Sequence, residues 1–95
     1  MQKIESEKLL EKKLSTEVKK LGGWTIKLLP YIVNGLPDRL ILLHGRAYFA
    51  ELKTTGKRLR PDQILMKSKL EKLGFKVYVI DSAEQINELI NEITI

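Results

Sequence analysis

Apolar positions in the first part of the chain recur with helical spacing. Leu10, Leu14, Val18 and Leu21 fall at i, i+4, i+8 and i+11, one stripe of a 3.6-residue period, and predict a helix over 4–21. Lys12, Lys13, Lys19 and Lys20 lie largely on its other side, and Gly22-Gly23 stops it, because glycine accepts the left-handed conformation that ends helices. Trp24 to Leu29 reads as a short strand ended by Pro30, with Trp24 expected to pack at its start. Tyr31 to Leu36 reads as a loop around the turn signal Asn34-Gly35. Arg39–Leu43 and Ala47–Lys53 read as strands joined by His44-Gly45-Arg46, a hairpin-length connection. The run Leu40-Ile41-Leu42-Leu43 has no polar alternation, so both faces of that strand are expected to be covered.

A polar loop over 54–60 follows, and Pro61 suits the first turn of a second helix, where its missing N–H is not needed. Ile64, Leu65, Lys69 and Leu73 run along that helix to Gly74. Phe75–Ile80 is a β-branched and aromatic strand. Ser82 and Gln85 are spaced as a capping box for a last helix, with Ile86, Leu89, Ile90 and Ile93 as its apolar stripe. The fold class is therefore α/β: a small mixed β-sheet flanked by helices, in the order α-β-β-β-α-β-α.

Composition narrows this little but usefully. The 95 residues suit a single domain over 1–95, and 43% hydrophobic with 31% charged residues fits a globular chain. There is no cysteine, which excludes disulfides, thiolate metal sites and cysteine nucleophiles. The segment 1–8 carries acids and no apolar core, so no signal peptide is expected. No apolar run approaches the ~20 residues of a membrane span, and no membrane partner is expected. A net charge of +5 favours a polyanionic partner, although a solubilising lysine-rich surface carries the same charge.

The candidate chemistry sits between Gly35 and Lys53. Strand alternation puts Glu51 and Lys53 on one face with Leu52 on the other. Folding the hairpin about Gly45 brings Asp38 to within about one residue of the Glu51 strand end. Two carboxylates so close repel unless a cation lies between them, and oxygen-only ligands suit Mg²⁺ or Mn²⁺. The backbone carbonyl of Leu52 could add a neutral oxygen. Lys53 could position a water, stabilise a phosphate or assist proton transfer. A surface hairpin with a same-face Glu51–Lys53 ion pair and Asp38 as a turn residue is the other reading of the same letters.

Pro37-Asp38, twelve intervening residues and then Glu51-Leu52-Lys53 are similar to the signature of the PD-(D/E)xK nuclease superfamily. More closely, Gly35-Leu36-Pro37-Asp38-Arg39, the Glu-Leu-Lys-Thr stretch 51–54 and Gln63 in the following helix resemble the small stand-alone VRR-NUC domains, many of them phage-encoded. Gly22-Gly23 with Lys27 in the first strand, and the ending Val-Tyr-Val-Ile-Asp-Ser over 77–82, agree with it. The resemblance runs from about Glu11 to Leu89.

It implies a restriction-endonuclease-like core and a metal-dependent deoxyribonuclease. Asp38 and Glu51 would be metal ligands, Lys53 the catalytic lysine, and Gln63 would orient water or contact the scissile phosphate. A glutamate from the first helix is also implied. Counting back from Gly22 matches Glu11, with Glu17 the runner-up. Stand-alone members resemble Holliday-junction resolvases in architecture, so the implied partners are branched DNA and a second copy in a homodimer, in the cytoplasm (of a bacterial host if phage-encoded); flap or nonspecific DNA cleavage, or a non-catalytic nucleic-acid-binding module, are the other readings. Lys27, Lys57, Arg58 and Arg60 are candidate DNA contacts, as is Lys67, one helical turn after Gln63. A solvated loop would show the same basic residues at 57–60. His44 reads as a turn residue, Arg39 is open between a salt bridge and a phosphate contact, and the apolar Tyr31–Val33 is a candidate dimer contact.

Overall fold

The computed structural model describes residues 3–29 and 31–94. At its centre, strands β2 (Arg39–Leu43) and β3 (Arg46–Leu52) meet at a two-residue corner. His44 and Gly45 both take positive φ, 50° and 75°, as a type I′ hairpin turn requires to match the twist of its strands. The antiparallel pairs run from Leu43–Arg46 to Arg39–Ala50, so the next step along the ladder brings Asp38 beside Glu51.

The other elements build outward. Helix α1 (Glu7–Lys20) starts where Ser6 accepts the Leu9 N–H at 3.2 Å, an N-cap. It ends where the Gly22 N–H reaches the Lys19 carbonyl and the Gly23 N–H the Val18 carbonyl, both at 3.0 Å, the two bonds of a Schellman motif with left-handed Gly22 (φ 85°). Strand β1 (Trp24–Lys27) pairs antiparallel with β2. Helix α2 (Pro61–Lys72) carries the chain over to β4 (Val77–Ile80), which pairs parallel with β3, and α3 (Ala83–Ile93) closes the order α-β-β-β-α-β-α. The sheet order is β1-β2-β3-β4. The expected strand stop at Pro30 lies outside the described residues.

Alternation divides the sheet. Ile41 and Leu43 of β2, Tyr48, Ala50 and Leu52 of β3, and Ile80 of β4 face Leu10, Leu14 and Val18 of α1 and Ile86, Leu89 and Ile93 of α3, in one buried cluster. Burying each such Leu or Ile side chain contributes about 1.5–3 kcal/mol. The opposite face carries Phe49 beside Val77 and Glu51 beside Val79, and there α2 reaches the sheet through Gln63, which is its buried residue.

Three details depart from the sequence-based picture. Ile64, Leu65 and Leu73 of α2 are exposed (54%, 73% and 66%), because they do not share the face on which Gln63 descends to the sheet. Trp24 does not pack at the strand start but is 65% exposed, since β1 is an edge strand. Leu40 and Leu42 are only half-buried, because the second face of the sheet is covered by a single helix.

The loop before β2 is locked to α2 at one point. Gly35 (φ 77°) lies against the first turn of α2, where an added Cβ would stand 2.2 Å from the Asp62 carbonyl oxygen. That is a backbone atom with no rotamer to yield. Gly35→Ala should therefore lower stability by more than the ~1–2 kcal/mol of left-handed strain alone, read as a reduced urea midpoint. A change within a few tenths of a kcal/mol would contradict the close approach.

Candidate active site

The hairpin register, the start of α2 and the start of α1 converge at one end of the sheet. Asp38, immediately before β2, and Glu51, near the end of β3, are tied across the hairpin by two backbone N–H groups. The Asp38 N–H donates to Glu51 Oε1 at 3.1 Å, and the Leu52 N–H donates to Asp38 Oδ2 at 3.4 Å. Glu51 is 6% exposed. Its second oxygen, Oε2, accepts from Gln63 Nε2 at 3.0 Å and lies 3.6 Å from Lys53 Nζ. Gln63 is held from its other end, because its Oε1 accepts the Arg60 N–H at 2.9 Å at the start of α2. One amide side chain thus caps the helix and fixes the carboxylate beneath it.

The electrostatics of this pair are unfavourable as it stands. Burial, followed by the nearby Glu51 charge, pushes the Asp38 carboxyl up to about 7, against the opposing pull of Arg39 and the Leu52 N–H. Burial also raises Glu51, offset by Lys53, the Asp38 N–H and Gln63. Asp38 Oδ1 is buried without a hydrogen-bond partner. A buried, unpartnered carboxylate oxygen beside a second carboxylate fits a small divalent cation. Among the described residues no three His, Cys, Asp or Glu side chains cluster as a metal cage. A cation here would complete its shell from backbone, water or substrate oxygens, as Mg²⁺ commonly does.

The pair opens into a cavity of about 420 Å³. Lys53, Lys57, Arg58 and Arg60 line it on the loop side, and Leu36, Thr54 and Gln63 complete the wall. A further carboxylate enters from α1, and it is Glu7, not Glu11. Glu11 lies one turn further along, with its Oε2 2.6 Å from Arg39 Nη2, and it does not line the cavity. Glu17 pairs with Lys20 at 3.4 Å on the outer surface. The structure therefore brings Asp38, Glu51, Lys53 and Gln63 together with Lys57, Arg58 and Arg60, and leaves Glu11 outside. Lys27, exposed at the end of β1, and Lys67, paired with Glu71 at 3.1 Å, also lie off the cavity wall.

Topology explains Glu7. The chain reverses at Gly22-Gly23, so α1 runs back along β1 and its N-terminus reaches the end of the sheet where Asp38 sits. The first turn is ~5.4 Å nearer that end than the next. This signal was present in the sequence, since strand direction alone places the start of α1 at the site. A clasp then fixes that start. The Glu5 N–H donates to Thr55 Oγ1 at 2.7 Å, the Thr55 N–H returns to the Glu5 carbonyl at 3.1 Å, and the Ala83 N–H donates to Glu5 Oε1 at 3.0 Å. Thr55 Oγ1 also donates to the Asp81 carbonyl at 2.8 Å. The segment before α1, the loop after β3 and the start of α3 are tied at one point.

A mixed sheet with helices on both faces, whose central hairpin delivers a buried and a half-buried carboxylate and a lysine to one end, defines the PD-(D/E)xK class. No family model matches the chain. A curated relative, "Putative nuclease p44" of Acyrthosiphon pisum secondary endosymbiont phage 1, is 38% identical over 76 residues, 79% of this chain and 82% of the relative. A solved structure described as a VRR_NUC domain superposes with a TM-score of 0.82 at 28% identity, covering 92% of this chain and 97% of that one. The chain belongs to the VRR-NUC family.

The raised carboxylates give a signed prediction. The folded protein keeps a proton on Asp38 that the unfolded chain, near pKa 3.8, has already released. The stability contributed by this group is therefore complete below about pH 4 and lost as pH rises through about 7. Metal-free protein should melt at a lower temperature at pH 8 than at pH 5. Asp38→Asn should flatten that fall, and Mg²⁺ or Mn²⁺ should raise the melting temperature more at pH 8 than at pH 5. Equal cation effects at both pH values would contradict the assignment.

Proposed function

We propose that this protein is a metal-dependent DNA endonuclease that hydrolyses phosphodiester bonds. The observation that carries the reading is the hydrogen-bonded pair of Glu51, buried, and Asp38, half-buried with a buried unpartnered oxygen, set under a basic loop. Asp38 and Glu51 would hold Mg²⁺ or Mn²⁺, with the Leu52 carbonyl as a neutral ligand between them. The bound cation supplies Lewis-acid polarisation of a phosphodiester oxygen and a lowered pKa for an attacking water. Lys53, whose Nζ stands 3.6 Å from Glu51 Oε2, is placed to orient that water or to stabilise charge on the phosphate. Gln63 uses one Nε2 hydrogen on Glu51 and keeps the other for a water or a phosphate oxygen. Glu7 adds a third carboxylate at the rim, in the role that the family resemblance gave to Glu11. Lys57, Arg58 and Arg60 neutralise substrate phosphates beside the cut, with Lys27 and Lys67 as outlying contacts along the duplex.

The substrate in this reading is branched DNA, cut by a homodimer in the cytoplasm of a bacterial host. A 95-residue chain offers little surface to hold a branched duplex alone, and a two-fold pair is the commonest soluble assembly. Tyr31, Ile32 and Val33 are 78%, 67% and 42% exposed, a contiguous apolar segment of the kind that a second copy covers. The printed name of the phage relative, a nuclease, supports the reaction class. Among the described residues no helix is long and apolar enough to cross a membrane.

Labelled four-way junction, flap, duplex and single strand, each with and without Mg²⁺ or Mn²⁺, test the reading. Cation-dependent product is expected, strongest on the junction. Asp38→Asn, Glu51→Gln and Lys53→Ala should each lower the rate by about 10²-fold or more, and replacing Lys57 and Arg58 by Ala should flatten the salt dependence of binding by about one unit of slope per lost phosphate contact. Absence of product on every substrate would overturn the nuclease reading. Preference for the flap would overturn only the junction assignment, and a light-scattering mass of one chain would overturn the dimer.

A further inference from the structure

Arg39 is the unusual buried charge of this fold. It is 4% exposed and faces the α1 side of the sheet, opposite to the side on which Asp38 meets Glu51. The guanidinium nevertheless links the site to α1. Its Nη1 donates to the Asp38 carbonyl at 3.1 Å, and its Nη2 lies 2.6 Å from Glu11 Oε2. The Asp38 carbonyl also accepts the Leu28 N–H at 2.8 Å. Both lone pairs of that oxygen are therefore occupied, one by the β1 edge and one by the guanidinium. Asp38 is the last residue before β2 and sits where the chain leaves the loop at Pro37, so without these bonds only its N–H to Glu51 and its own carboxylate would hold it. Arg39 in turn depends on Glu11, since an arginine so deeply buried needs a counter-charge to stay in place.

We infer that Glu11 and Arg39 form a positioning pair for Asp38, with α1 setting, through the guanidinium, where the carboxylate stands beneath the cation. The inference rests on the metal-nuclease reading of the cavity. It gives Glu11 a role that is neither metal ligand nor solvated helix acid. Neither residue touches substrate. Each acts through the Asp38 backbone, and partners of this kind typically affect metal affinity or activity about 10- to 100-fold.

The test uses Glu11→Gln, at a half-exposed position that should fold, beside Arg39→Met and the double variant. Mn²⁺ titration of DNA-free protein by calorimetry should show half-saturation raised about 10-fold in either single variant. Cleavage should show a lower kcat with little change in KM, and excess Mn²⁺ should restore part of the loss. The double variant should be no worse than Arg39→Met, because both changes break one chain of contacts. In metal-free protein, amide exchange at Asp38 and Leu52, whose N–H groups donate across the carboxylate pair, should be faster in Glu11→Gln. A melting temperature lowered with unchanged Mn²⁺ half-saturation would show a merely structural tie and overturn the inference. Complete loss of Mn²⁺ binding in Glu11→Gln would make Glu11 itself a ligand and also overturn it. If the wild type neither binds Mn²⁺ nor cleaves DNA, the nuclease reading fails. The exchange rates then decide the positioning pair alone, with unchanged rates overturning it.

Discussion

Two carboxylates held side by side, Glu51 buried and Asp38 half-buried, are the constraint to which the rest of this small fold answers. Left to themselves, Asp38 and Glu51 would separate or take up a proton; burial raises the proton affinity of both, and at Asp38 the Glu51 charge adds to it. They are kept together by a conformational fact, the type I′ corner at His44-Gly45, which sets the register of β2 on β3. One step beyond the last ladder pair, the backbone N–H groups of Asp38 and Leu52 become donors to the two carboxylates. The same geometry that forms the sheet therefore holds the charges.

The neighbouring elements read as supports of that pair. Helix α2 buries little except Gln63, and that side chain both caps its helix and holds Glu51. Gly35 lets the loop before Asp38 lie directly against the first turn of the same helix. Glu5, Thr55 and Asp81 clasp the start of α1 to the loop that carries the basic residues. On the far face, Arg39, paired with Glu11, reaches the Asp38 carbonyl from behind. The apolar core of α1, α3 and the inner sheet face supplies stability, while the polar contacts at one end of the sheet supply position.

How much of this could be read in the letters follows from the range of each interaction. The hairpin, its register and the meeting of Asp38 with Glu51 and Lys53 come from local periodicity and a turn signal, and the structure reproduces all three. The element order follows for the same reason. Glu11 was expected at the site because helix position was counted from Gly22. The physical determinant is chain direction, which brings the first turn and Glu7 to the cavity instead. Arg39 has no local signal for its partner, since the contact joins α1 to β2 across the sheet face. The exposed Ile64 and Leu65 of α2 misled for a related reason. Apolar letters mark a face only when they share one, and here a polar residue, Gln63, is the buried position.

The central claim is that Asp38 and Glu51 are ligands of one divalent cation. Crystals of the protein soaked in Mn²⁺, with anomalous diffraction recorded at the manganese edge, test it most directly. The account predicts a peak within coordination distance, about 2.0–2.4 Å, of a carboxylate oxygen of each residue, on the side of the unpartnered Asp38 Oδ1. A protein that takes up Mn²⁺ elsewhere, or shows no peak against these two carboxylates at saturating Mn²⁺, would contradict it.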